Sequence, residues 1–147
     1  MTAPDKSREL SVSLNLVNDK LHFQAQTGIN NPVSIDYTTP LGDNLGYTSL
    51  ELLLMSLASC IGSAVLVLLR KMGKSVQGLE IKADGVRKQE HPTSFSLITL
   101  ELVLKSSDAT YSELDKVIGL SDAKLCPVYD MIKGNVEVVI HRTIVHS

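Results

Sequence analysis

The sequence predicts an α+β fold, and three observations carry that reading. Short runs with apolar residues at every second position open the chain, a long apolar helix signal spans Thr48 to Gly73, and strand-like alternation returns beyond it. In the opening part, Leu10, Val12, Leu14 and Leu16 alternate with Ser11, Ser13 and Asn15, as in a strand with one buried face. Asn18 and Asp19 signal a turn, after which Leu21, Phe23 and Ala25 alternate with His22, Gln24 and Gln26 as the hairpin partner. Gly28 to Pro32 turns again and leaves Val33 to Tyr37 as a third strand. Pro40, Gly42, Asp43, Asn44 and Gly46 make 38–47 a loop that delivers the chain to the helix.

Thr48 and Glu51 form a T-x-x-E capping box, in which hydroxyl and carboxylate satisfy otherwise orphaned backbone N–H groups. Arg70 and Lys71 suit the negative end of the helix dipole, and Gly73 can take the left-handed conformation that stops the helix. Such a helix is roughly 35 Å long. Beyond it, Leu79, Ile81 and Ala83 alternate with Glu80, Lys82 and Asp84, and a run from Phe95 sets Ile98, Leu100, Leu102 and Leu104 on one face. His91 and Pro92 fall in the connection. Thr110 and Glu113 repeat the capping-box spacing and open a helix through Leu114, Val117, Ile118 and Leu120 to about Leu125. Pro127 forces a boundary, so Val128 to Lys133 forms a second, short helix with Cys126 at its N-terminus and Gly134 at its end. Val136 to Val145, rich in β-branched residues, is the last strand. With no repeat, low-complexity run or linker, 1–147 reads as a single domain.

A chain of 147 residues with 44% hydrophobic content can bury a sizeable core. Its net charge of −2, with lysines and arginines scattered, offers no footprint for nucleic acid. The polar N-terminal stretch lacks the apolar region of a secretory signal, so the expected location is cytoplasmic, where both cysteines stay reduced. Leu52 to Leu69 carries no charge over a length that just reaches a membrane span. Ser56, Ser59, Cys60, Gly62 and Ser63 make its middle small and partly polar, and the amphipathic strands need a partner to cover them, so no membrane is expected. A helix apolar all round is instead buried within protein. A chain this short hardly surrounds it alone, which points to an oligomer.

Cys60, within the apolar helix, reads first as an inert core residue, because burial suppresses the thiolate. Cys126 is better placed, since a helix N-terminus favours a thiolate, although a buried half-turn cysteine has the same appearance. Neither belongs to a C-x-x-C pair, and the four histidines have no metal-ligand spacing, so no metal or other cofactor is expected. No histidine is spaced to make a Cys-His hydrolase of Cys60.

The run from Glu51 to Cys60, ELLLMSLASC, followed by Leu125-Cys126-Pro127-Val128, resembles the OsmC/Ohr family of thiol-dependent peroxidases, and the G-V-R-x-x-x-x-P run from Gly85 to Pro92 is similar to a divergent OsmC-like branch of it. The order of elements is similar over nearly the whole chain. The resemblance implies two interlocked subunits, a homodimer with its active sites at the interface. It also implies that Cys60 is the peroxidatic nucleophile and Cys126 the resolving thiol. The substrate would be a small hydroperoxide and the reductant a dithiol, for which the Ohr branch uses lipoyl-bearing proteins. An apolar surround for Cys60 would favour organic hydroperoxides over hydrogen peroxide. The alternative is a stress-associated binding protein of the same fold with slow thiols.

The family sets an arginine, held by a glutamate, beside the reactive sulfur. Glu51 matches the glutamate while also serving the capping box. Nine residues along one helix put Glu51 and Cys60 on opposite faces, about 13 Å apart, so they meet only across a dimer or round a bend. For the arginine, the N-terminal region offers only Arg8. Arg87 is the stronger candidate, because it continues the Leu79, Ile81, Ala83 row toward the core, unless a bulge at Gly85 returns it to solvent.

Overall fold

The structure is a computed structural model and describes residues 8–146. Residues 1–7 of the polar N-terminal stretch Met1–Leu10, read for a secretory signal, lie outside them. Backbone contacts divide the chain into two compact units, the first ending at Leu53 and the second beginning at Leu54.

In the first unit, β1 (Ser13–Leu16), β2 (Phe23–Gln26) and β3 (Val33–Ile35) form an antiparallel meander in the order β1-β2-β3. The strands are shorter than the alternation suggests, and Leu10 and Val12 precede β1. Leu10, Val12, Leu14 and Leu16 are all exposed in the single chain. The following loop is organised by one buried side chain, Asp36. Its carboxylate accepts the backbone N–H groups of Tyr37 at 2.8 Å, Asp43 at 3.1 Å and Leu45 at 3.2 Å. Gly42 lies so close to Tyr37 and Asp36 that a Cβ there would overlap both. Burial alone would push the Asp36 carboxyl up, but the three N–H donors outweigh it and hold the pKa below its ordinary 3.8.

The helix α1 (Ser49–Lys71) starts in the first unit and continues into the second. Its capping box is formed as expected: Thr48 N–H donates to Glu51 Oε1 at 2.8 Å, and Glu51 N–H to Thr48 Oγ1 at 3.3 Å. Gly73, at φ +75°, ends it in the left-handed conformation. Within one chain α1 is buried on one stripe only, Leu57, Ile61, Val65 and Leu69 with Gly62 alongside, while Met55 and Val67 remain exposed. By length and composition it could cross a membrane. Its buried stripe nevertheless packs against protein, with each fully buried Leu, Ile or Val contributing about 1.5–3 kcal/mol.

The second unit carries the sheet β4 (Gly78–Arg87), β5 (Phe95–Lys105) and β6 (Glu137–Val145), in the order β4-β5-β6. β4 and β5 pair antiparallel, so Leu79, Ile81, Ala83 and Gly85 lie opposite Leu104, Leu102, Leu100 and Ile98. The Phe95 ring occupies the space a Cβ on Gly85 would need. β6 pairs with β5 in parallel, a relation that needs the intervening helices as crossover. These are α2 (Tyr111–Leu120), a single π turn (Ser121–Leu125) and α3 (Pro127–Ile132). Thr110 and Glu113 form the second capping box, and the other carboxylate oxygen of Glu113 meets Lys74 at 2.9 Å. Arg142 of β6 bonds Asp115 of α2 at 2.6 Å and lies over the Tyr111 ring, 4.6 Å from its centre.

α1 lies against the sheet at Gly62, where a Cβ would stand 2.7 Å from Ile81 Cδ1 and 3.5 Å from Leu79 Cδ2. Gly62→Val should therefore lower stability by about 1–3 kcal/mol, read as a fall in Tm, because the added atoms force those side chains aside. Asp36→Asn should loosen the 36–47 loop by offering N–H groups an amide in place of a carboxylate. In the wild type, the Asp36 contribution is complete above pH about 3.8 and is lost as pH falls through its depressed folded value. Amide exchange at Asp43 and Leu45 reports both changes.

Candidate active site

The site is built at the junction of the π turn and α3. Cys126 N–H closes the π turn by donating to Ser121 O at 2.9 Å, and its extended backbone (φ −93°, ψ 102°) turns the chain into α3 with Pro127 in the first turn. Its sulfur is the N-cap acceptor for that helix, receiving the Tyr129 N–H at 3.3 Å. π turns recur at functional sites because the extra residue re-aims the chain.

Cys60 projects from α1 on the flank of the buried stripe, about 60° round the helix from Leu57. It is half-buried, whereas Cys126 is 3% exposed. The two thiols lie near each other, and both are free. The distant sequence positions are thus brought together. Burial pushes the Cys126 thiol up to about 11, with the Cys60 thiol adding to the rise and the Tyr129 and Val128 N–H groups opposing it. The expected thiolate-favouring effect of the helix N-terminus is real but outweighed, since six residues of helix give too little field to offset desolvation.

A cleft of about 410 Å³ opens beside Cys126, lined by Asp122, Ala123, Lys124, Leu125, Pro127 and Asp130. Asp122 stands out among them, and Ser121 precedes it in the π turn. Asp122 Oδ1 and Ser121 Oγ are buried without a hydrogen-bond partner among the described residues. Burial raises the Asp122 pKa. Asp130 is committed to Lys133 at 2.7 Å. The sequence alone did not single out Asp122; its position four residues before a cysteine and proline was the available signal.

The remaining candidates lie elsewhere. The β4–β5 register shifts between Val86 and Arg87, one pair beyond the Gly85 bulge considered from the sequence, and Arg87 is exposed. Its guanidinium donates to Thr93 O at 2.7 Å and to Thr93 Oγ1. Glu51 is exposed and its carboxylate serves Thr48, whose backbone and side-chain bonds lower its pKa. Arg8 is exposed ahead of β1. Among the described residues, no three His, Cys, Asp or Glu side chains gather into a metal-binding group.

Alkylation of Cys126 by iodoacetamide should be slow at neutral pH and rise toward pH about 11, with Cys60→Ala moving that rise to lower pH by removing one of its causes. Peptide mapping of the alkylated residues at each pH checks both statements.

Residues 42–141, a stretch that includes Cys60, Cys126 and most of both helical regions, match the family model for OsmC-like protein. The protein YhfA of Escherichia coli K12 is 27% identical over 89 residues, which are 60% of this chain and 66% of that protein, just under two thirds of its length. A hypothetical protein from Aquifex aeolicus VF5 shares the fold at a TM-score of 0.82 and 26% identity, covering 93% of this chain and 96% of that one. The organic hydroperoxide resistance protein OhrB of Bacillus subtilis matches with a TM-score of 0.63 and 17% identity, over 90% and 96% of the two chains. With its order of elements and a family model covering most of its length, the chain belongs to the OsmC-like protein family.

Proposed function

We propose that this protein is a thiol-dependent peroxidase that reduces organic hydroperoxides, with Cys60 as nucleophile and Cys126 as resolving thiol. The observation that carries the reading is the pairing of two free thiols, one half-buried and one buried, side by side. Family membership supports it, since relatives include proteins named for organic hydroperoxide resistance. In the first step the Cys60 thiolate attacks the peroxide O–O bond; that bond breaks, alcohol leaves with a proton, and Cys60 becomes a sulfenic acid. The Cys126 thiol then attacks that sulfur, forming the disulfide and releasing water. A dithiol, a lipoyl protein in the Ohr manner, returns both thiols. The high Cys126 pKa suits the resolving role, because it keeps that member of the pair protonated while Cys60 reacts.

The working form in this proposal is a cytoplasmic homodimer. The exposed Leu10–Leu16 row and the exposed Met55 and Val67 of α1 are the apolar surfaces a second copy would cover. The activating arginine, Arg87 or Arg8, and its partner Glu51 would come into place there.

One observation favours the second reading, a binding protein with slow thiols: Arg87 is bonded to Thr93 and Glu51 to Thr48, so neither spends these bonds on Cys60. Thiol titration after one equivalent of cumene hydroperoxide separates the two. The peroxidase loses both thiols rapidly, Cys60→Ser prevents the loss, and hydrogen peroxide acts more slowly. Indifference to cumene hydroperoxide establishes the binder, and faster turnover of hydrogen peroxide overturns the organic preference. Arg87→Ala should slow the loss if that residue supports the thiolate.

A further inference from the structure

We propose that Cys60 and Cys126, when reduced, form a two-coordinate site for a soft monovalent cation, copper(I) or its analogue silver(I). Both are free thiols, and they lie near each other on separate elements, Cys60 in α1 and Cys126 at the start of α3. Thiolate sulfur is a soft, polarisable ligand that selects ions such as copper(I) over hard, oxygen-seeking cations. Cys60 is half-buried and gives an ion a way in, whereas Cys126, 3% exposed, holds the far side of the pair out of water.

The number of ligands decides which soft ion fits. Zinc(II) also takes sulfur, but its structural sites close with four protein ligands and its catalytic sites with three. Among the described residues, no third His, Cys, Asp or Glu side chain joins the pair. Copper(I) and silver(I) have filled d shells and are satisfied by two thiolates in line, so the pair is a complete shell for them and half of one for zinc(II). Charge also favours occupation. On binding, two S–H bonds break, two sulfur–metal bonds form and both protons leave to solvent, with no electron transferred. The cation and its two thiolates carry a single negative charge, where two bare thiolates would bury two. Tyr129 N–H, 3.3 Å from the Cys126 sulfur, donates toward that charge, as groups around a ligating atom commonly do. The site stands on the thiol pair and not on the peroxidase reading, with which it competes for the same sulfurs.

The test uses the reduced full chain, kept free of oxygen and of other thiols. Titration with copper(I) against the chelator bathocuproine disulfonate should show one ion bound per chain, and native mass spectrometry with silver(I) should give the same stoichiometry. Cys60→Ser and Cys126→Ser should each weaken binding at least about 10²-fold, since losing a direct ligand costs no less than losing a group that supports one. Circular dichroism establishes that each variant is folded, and Cys60→Ala or Cys126→Ala serves where the serine variant is not. Without any substitution, one equivalent of silver(I) should protect both cysteines from N-ethylmaleimide over the time in which the ion-free protein is labelled at both, as read by peptide mapping. Zinc(II) should be surrendered to 4-(2-pyridylazo)resorcinol. Unchanged affinity in either variant, protection of one thiol alone, or a single ion bridging two chains overturns the proposal, as does zinc(II) held as firmly as copper(I). If cumene hydroperoxide leaves the thiols untouched while silver(I) protects both, the peroxidase reading has failed and the cation site stands.

Discussion

The second unit depends on how closely α1 approaches its sheet, and that distance is set by what is missing at Gly62. With no Cβ there, the helix settles to where Ile81 and Leu79 meet its backbone, and Leu57, Ile61, Val65 and Leu69 are buried in register with it. Cys60 stands at the margin of this stripe. It is close enough to the packed side to neighbour Cys126 and far enough round to remain half-buried. A thiol at the centre of the stripe would be inert, and one on the opposite face would have no partner.

Cys126 is subject to two opposed influences. The start of α3 offers N–H groups that favour negative charge, while burial and the adjacent thiol oppose it, and burial prevails. The pair is therefore asymmetric by environment although chemically identical. In a dithiol cycle such asymmetry assigns roles: one sulfur meets the oxidant, and the other is held as a thiol until needed.

Both capping boxes, the Gly73 stop, the Pro127 boundary and the Ile98–Leu104 row were legible because each is a local rule with a fixed spacing, and local rules survive tertiary context. The two cysteines were legible as a pair only through family resemblance, since nothing local joins positions so far apart. Three features were not readable. Parallel pairing of β5 and β6 is a matter of topology, not periodicity. The π turn needs one residue more than the helical pattern before Pro127 reveals. Asp36 resembled any loop aspartate, although its burial and its three N–H donors make it the loop's organising group. Arg87 shows the limit of alternation, because a single register shift undoes its parity.

The Cys126 sulfur holds the first turn of α3 through the Tyr129 N–H as well as neighbouring Cys60. Its lone pairs thus serve two masters, and any covalent bond made to that atom, whether to another sulfur or to an alkylating reagent, changes its worth as an acceptor. The state of one atom is thereby transmitted to a backbone hydrogen bond. Solvent exchange of the Tyr129 amide becomes a built-in gauge of oxidation, readable without touching either thiol.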